Sequence, residues 1–327
     1  ITATSSNTGL VPDSAAVVTH DGTGNATVTV TPVSDGSGVT TITLTVQDDT
    51  SAVADLFDVT VSPVNDAPTL SLETSGATLE DTPVTLTDAI AAADRDLESG
   101  NLTASLSVAN GHLSLSGDTS GLSFSSGDGA DDPTLVFTGD LAAINEAFRL
   151  ITYTPLLNFN GSDAIQISVN DMGNSGSGGF LTATGSIPLT INPVDDPPTI
   201  TEIPVQTVAE DTPSGTGPIA FTVADLDTAT SLLTFTGSSS AQAVVTDGNI
   251  TFSSDGTGSA TVTVRTAPDA TGLATIVVGV SDDTSTVFTS FELTVTGVND
   301  APVNLLPGAP EVPEEETFTF AGTLSIS

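Results

Sequence analysis

The chain has 327 residues, of which 41 are acidic and 3 basic, for a formal net charge of −38. No patch on such a surface can neutralise phosphates, so nucleic acid is excluded as a partner and an anionic membrane surface is disfavoured. Cysteine and lysine are both absent, which rules out disulfides and lysine isopeptide bonds as cross-links.

Disorder is a poor reading despite the charge. The apolar fraction is 38% and it is patterned, whereas disordered acidic tails lack alternation. No apolar run reaches membrane-spanning length, and no signal peptide opens the sequence. Residue 1 falls inside a repeat, as expected of a window cut from a longer polypeptide.

Strands appear from the start. Ile42, Leu44 and Val46 alternate with threonines, and Phe57, Val59 and Val61 follow after the acidic turn at Asp48. Next comes Pro63-Val64-Asn65-Asp66-Ala67-Pro68, then the acidic step Glu80-Asp81-Thr82. A middle stretch repeats the strand pair at Ile165, Ile167, Val169 and at Ile187, Leu189, Ile191. Within it, Asp140 can cap a short helix over 141–150 that puts Leu141, Ile144, Phe148 and Ile151 on one face. That helix is expected to lie over the open end or edge of a sandwich. Residues 173–179 read as a mobile Gly/Ser-rich hairpin.

The pattern then recurs. Pro193-Val194-Asp195-Asp196-Pro197-Pro198 is followed by Glu210-Asp211-Thr212, and Val298-Asn299-Asp300-Ala301-Pro302 by Glu315-Glu316-Thr317. Residues 1–68 align without a gap on residues 235–302, and Asp21–Val30 differs from Asp255–Val264 at one position in ten. Repeats of this size are whole domains. Alternation of threonine with β-branched or Phe residues, broken by Gly/Asp turns, indicates antiparallel β-sandwiches of about 100 residues. The expected organisation is all-β: the C-terminal part of a sandwich over 1–67, a long sandwich with the helical insertion over 68–197, a sandwich over 198–301, and the start of a further repeat over 302–327.

The joints resemble the Asp-x-Asn-Asp-x-Pro linkers of cadherins. They are closer still to the cadherin-like tandem repeats of large bacterial surface proteins and RTX-type adhesins, where Val-Asn-Asp-Ala-Pro is typical. Asn158-Phe-Asn-Gly-Ser-Asp-Ala-Ile165 and Val169-Asn-Asp171 also look like those repeats. The resemblance implies calcium at the joints. The acids near a domain's first strand would be Glu80-Asp81 and Glu210-Asp211. The linker pairs would be Asn65-Asp66, Asp195-Asp196 and Asn299-Asp300. The Asp-x-Asp steps would be Asp94-Arg95-Asp96 and Asp225-Leu226-Asp227, and the acid closing the late strand would be Asp171, Asp282 or Asp48. The Asp-Arg-Glu motif of cadherins is missing, its place being taken by the Asn-Phe-Asn-Gly stretch or by nothing. Calcium takes six to eight hard oxygens, and acids with linker carbonyls supply them.

Bland readings apply elsewhere. Asp21-Gly, Asp35-Gly, Asp118, Asp128-Gly, Asp247-Gly and Asp255-Gly are ordinary turn chemistry. His20 and His112 are isolated. Paired carboxylates can mark a glycosidase, but here the pairs recur at every joint, there is no Trp, and Tyr153 is the only Tyr. The expected function is therefore a non-catalytic spacer of an extracellular adhesin, surface filament or matrix protein, outside the cell, with calcium clamping neighbouring repeats. The alternatives are a glycan- or protein-binding module centred on 68–197, and an acidic high-salt surface protein without a specific metal. Head-to-tail pairing of copies, residues 303–327 of one filling the open sandwich of the next, is a further expectation about partners.

Overall fold

The computed structural model describes residues 1–97, 99–173 and 176–301, together with Glu314. The expected start of a further repeat, with its acidic step at Glu315-Glu316-Thr317, lies outside the described residues. The chain divides into two compact units, 1–194 and 195–327. The first unit contains the first and middle stretches of strands, and the second contains the third stretch.

The protein is all-β with tandem sandwich domains. In the first stretch, Thr2–Ser5, Gly38–Gln47 and Ala52–Val61 form an antiparallel sheet, and Ala16–His20 pairs with Ala26–Val30. The core here is small: Leu10, Val11, Ala16 and Ile42 are buried. Val46 is 53% exposed, whereas its repeat counterpart Val280 is fully buried. In the third stretch that cover comes from residues 199–234, which have no counterpart within 1–68.

The middle stretch builds a six-stranded sheet whose last strand, Gly76–Leu79, runs parallel to Leu189–Asn192. A three-stranded sheet, Gly111–Leu115 with Leu150–Pro155 and Val84–Thr87, and the pair Thr69–Leu72 with Ile90–Ala93 complete it. The alternating residues Leu102, Ala104, Leu106 and Ile165, Ile167, Val169 fill the space between, as period-two strands with one apolar face require. The helix forms over Leu141–Phe148, and the Asp140 carboxylate accepts the Ala143 N–H at 2.7 Å. Ile144, Ala147 and Phe148 are wholly buried, and Phe148 packs edge-on to Phe137. Asn145 pins the helix by bonding both the N–H and the carbonyl of Ala92. Ile151, expected on the helical face, belongs to the next strand.

The third stretch is two four-stranded sheets. One orders Thr199–Ile200, Ile219–Ala224, Ser259–Val264 and Ile250–Ser254. The other orders Gln206–Ala209, Thr286–Thr296, Gly272–Ser281 and Thr234–Ser239. Val262, Val264, Ile276, Val278, Val280 and Leu293 form the buried layer between them, the arrangement of a face-to-face sandwich. Among the described residues no helix is long and apolar enough to cross a membrane.

Candidate metal centres

The buried polar residues single out the joints. They are Thr40, Asn65, Glu80, Asp171, Glu210 and Asp282, and all but Thr40 are among the ligands nominated from sequence. Buried carboxylates need partners, and each of these has them.

The base of the middle domain and the base of the third share one plan. Each short strand, Gly76–Leu79 or Gln206–Ala209, runs parallel to the last long strand and delivers a glutamate beside the exit of the chain. The Glu80 N–H bonds the Asn192 carbonyl, and the Glu210 N–H bonds that of Thr296, both at 2.9 Å. The glutamates then accept the linker N–H groups: Glu80 from Val194, and Glu210 from Val298 at 2.8 Å. Next to them Asp81 and Asp211 sit at φ of 54° and 58°, a conformation Asp tolerates better than most side chains. Asp81 accepts the Asn158 N–H at 2.8 Å and Asp211 the Asp269 N–H at 3.2 Å.

A turn of one kind recurs beside these acids. Asn158, Asp269 and Asp35 occupy the same turn, at φ of 57°, 56° and 59°, three residues before a positive-φ glycine that opens the next long strand. Asn160 adds an amide to Glu80 at 3.2 Å. The signal was legible as Asp/Asn-x-x-Gly at Asp35–Gly38, Asn158–Gly161 and Asp269–Gly272. Asp35 is a turn residue, as expected, but its carboxylate does more than close the turn.

At the far end of the third domain, carboxylate oxygens of Asp211, Asp269 and Asp300 all lie within 4.8 Å of one another, and all three residues are exposed. Desolvation first, then the charges of Asp269, Asp211 and Glu210, raise the pKa of Asp300 above the ordinary carboxylate range. Like charges this close disfavour ionisation. Asn299, also nominated, donates its amide to the Asp300 carbonyl at 3.2 Å.

The Asp-x-Asp steps follow the second strand of each domain. The Asp96 N–H bonds Asp94 Oδ1 at 3.3 Å, and the Asp227 N–H bonds Asp225 Oδ1 at 2.9 Å. The second acid of each step reaches the linker: Asp66 N–H to Asp96 Oδ2 at 3.1 Å, and Asp196 N–H to Asp227 Oδ2 at 2.8 Å. The other oxygens, Asp94 Oδ2 and Asp225 Oδ2, are buried with no hydrogen-bond partner. Burial first, and then Asp96 beside it, push Asp94 up to about 6. The late-strand acids complete the set. Asp171 accepts the Asn65 amide at 2.6 Å, and the Asp195 carboxylate accepts the Thr284 hydroxyl. Asp282 gathers Ser285 and Thr284 N–H groups at 2.7 and 2.8 Å, which hold it well below the ordinary range, Ser285 most strongly. Asp48, in the first domain, is held down to about 2 by the N–H groups of Thr50 and Ser51.

The donor set fits a hard divalent cation. It is all oxygen, with no thiol and no imidazole. A buried carboxylate oxygen with lone pairs and no donor is what a cation would satisfy. Within the first unit Asp66, Asp94, Asp96, Asp171 and the linker would hold it. Within the second, Asp195 and Asp282 share the Thr284 hydroxyl and Asp225 and Asp227 hold the linker beside them, while at the other end Glu210 lies near Asp211, Asp269 and Asp300, the one group of acids among the described residues whose carboxylate oxygens all lie within 4.8 Å.

No family model matches the chain, and no curated protein matches it. Among solved structures it is similar to mouse cadherin-23 EC22–24, with 16% identity over 91% of this chain and 86% of that one, at a TM-score of 0.40. A titin I67–I69 variant shares 12% identity over 86% and 82%, at 0.34. An endo-fucoidan hydrolase of glycoside hydrolase family 107 shares 18% over 91% of this chain but 39% of its own length, at 0.23. Likenesses this distant do not bear on function, and the fold rests on the strand pairing described above.

Proposed function

We propose that this chain is a non-catalytic, extracellular spacer of cadherin-like repeats in which calcium clamps the acidic joints. One observation carries the reading: Asp94 Oδ2 and Asp225 Oδ2, at equivalent places in two domains, are buried acceptors with no donor. Leaving such a group unsatisfied costs about 1–3 kcal/mol, and more when it is charged. A bound cation would remove that cost twice, once per domain. The partners are then neighbouring repeats of the same polypeptide, and the type of repeat is the one found in large bacterial adhesins. The remaining acids support this division of labour: Asp21, Asp118 and Asp255 are occupied by N–H groups of their own turns, and Asp247 by the Ser239 N–H at the end of a neighbouring strand.

Titration calorimetry with calcium tests the reading. Extracellular modules bind at about 10⁻⁴–10⁻³ M, and heat in that range is expected, reduced by Asp94→Asn or Asp225→Asn and reduced further by both, with the Asp211, Asp269 and Asp300 end as the remaining site. Absence of heat, with an unchanged melting temperature at millimolar calcium, would overturn it.

A further inference from the structure

The joint between the first and middle domains differs from the other acidic ends in carrying a cation of its own. Arg95, the central residue of Asp94-Arg95-Asp96, reaches back to the first domain and pairs with Asp35, Nη1 to Oδ2, at 2.8 Å. Asp35 lines a groove of about 430 Å³ with Asp66, Asp96, Val61 and Pro63. Three ion pairs occur among the described residues. His112–Asp131 and Arg149–Glu146 are each internal to the middle domain, so Arg95–Asp35 alone joins two domains. In a chain with three basic residues, that placement is informative. At the equivalent position the third domain has Leu226, which is exposed and uncharged.

A second, separate device grips the linker. The Ser177 N–H bonds the Pro63 carbonyl at 3.0 Å and the Asn65 N–H bonds the Ser177 carbonyl at 2.9 Å, so Val64 and Ser177 form a parallel bridge. The Asn65 amide bonds the Gly179 carbonyl at 3.0 Å as well as Asp171. Gly176 permits the approach. It sits at φ +72°, and a Cβ there would lie 2.7 Å from the Val64 carbonyl carbon and 2.8 Å from the Asn65 nitrogen. The third domain has the tight turn Asp282–Ser285 at this place, and the Thr284 hydroxyl of that turn bonds Asp195 of its own linker.

We infer that the first joint is fastened by the chain itself, with Arg95 as its resident counter-ion and the Gly176–Gly179 segment as a main-chain clasp, and that it stays docked when divalent cations are removed. The clasp fixes residues 63–65 to the middle domain through groups no chelator reaches. The ion pair fixes a turn of the first domain, at the place where the third domain presents the bare carboxylate of Asp269. The inference goes beyond the calcium reading and does not need it.

The natural absence of cysteine allows spin labels to be placed freely. Labels at Ala54→Cys and Ser125→Cys, on exposed strand positions of the first and middle domains in the full chain, report the inter-domain distance by electron–electron double resonance. A narrow distribution is expected in calcium and equally narrow in chelator. Arg95→Gln with Gly176→Val should lose the narrow peak in chelator, and Asp35→Asn, which leaves the clasp intact, should lose part of it. Far-ultraviolet circular dichroism confirms that each variant is folded. A parent chain as broad in chelator as the double variant would overturn the inference, and so would a double variant as narrow as the parent. Calorimetry on the same samples keeps the two readings separate, because missing calcium heat would remove the metal and leave the distance result standing.

Discussion

The first joint and the far end of the third domain start from the same plan and solve its charge problem differently. Both have a positive-φ turn residue three positions before a glycine, Asp35 in one and Asp269 in the other. Asp35 meets an arginine, and the linker beside it is gripped by main-chain hydrogen bonds. Asp269 meets Asp211 and Asp300, and nothing among the described residues offsets the three charges. One end thus carries its own counter-ion, whereas at the other three carboxylates lie together with no counter-ion among the described residues.

The strongest way to probe this comparison is to remove the basal glutamates. Glu80→Ala strands two donors, the Val194 N–H and the Asn160 amide, and Glu210→Ala strands one, the Val298 N–H. Each lost partner leaves a desolvated group costing about 1–3 kcal/mol. Chemical denaturation should therefore show Glu80→Ala as the more damaging of the two, and the reverse order would break the equivalence of the two bases.

Calcium itself comes next. At ten times the dissociation constant a ligand stabilises by about 1.4 kcal/mol. Melting should show that gain in the parent chain. It should be reduced for the second unit, which keeps the Asp211, Asp269 and Asp300 end, and unchanged for the first, in Asp225→Asn.

A pH effect of similar or smaller size follows from Asp94. In the metal-free chain burial raises its pKa from 3.8 to about 6, so between those values the folded state binds the proton that the unfolded state has released. Stability contributed by this group therefore falls as pH rises from about 4 to about 6. In chelator the melting temperature should decline over that window, and Asp94→Asn should flatten the decline. A melting temperature that rises there, with all else unchanged, would contradict the burial of Asp94.

The smallest effect belongs to Arg95→Leu, which gives the first joint the residue of the third domain. The arginine is largely exposed, so the pair contributes no more than about 1 kcal/mol to stability. Denaturation midpoints should barely move, while calcium titration should show tighter binding at the first joint, because Asp35 is released to a metal. Unchanged affinity would mean that Asp35 takes no part in binding.

Most of the fold could be read from the residues. Period-two alternation at Ile42–Val46, Ile165–Val169 and Ile276–Val280 is a direct consequence of strand geometry with one face buried, and so it survives in any context. The site was legible where a motif repeats in register. The buried Asn65, Glu80, Asp171, Glu210 and Asp282 were all nominated that way. The Asn-Phe-Asn-Gly stretch with Asn158 and Asn160 was singled out, but Asp35 was read as a turn residue only and Asp269 was missed. Their side chains serve a constellation whose other members are distant in sequence, and an Asp-x-x-Gly step looks like any turn. The helix was recognised from its cap and spacing, but its end was placed too late, because Ile151 belongs to the next strand.

The sequence alone determined the repeat, the β-sandwich class and the acidity of the joints, because these follow from local periodicity, turn chemistry and composition. Only the tertiary structure decided which acids share a site and which are occupied by their own turns. Only it showed that one of three arginines crosses a domain boundary and that a glycine hairpin closes on the linker. Those outcomes depend on contacts between residues such as Asp35 and Arg95 or Pro63 and Ser177, far apart along the chain, where distance and burial rather than residue type set the energy.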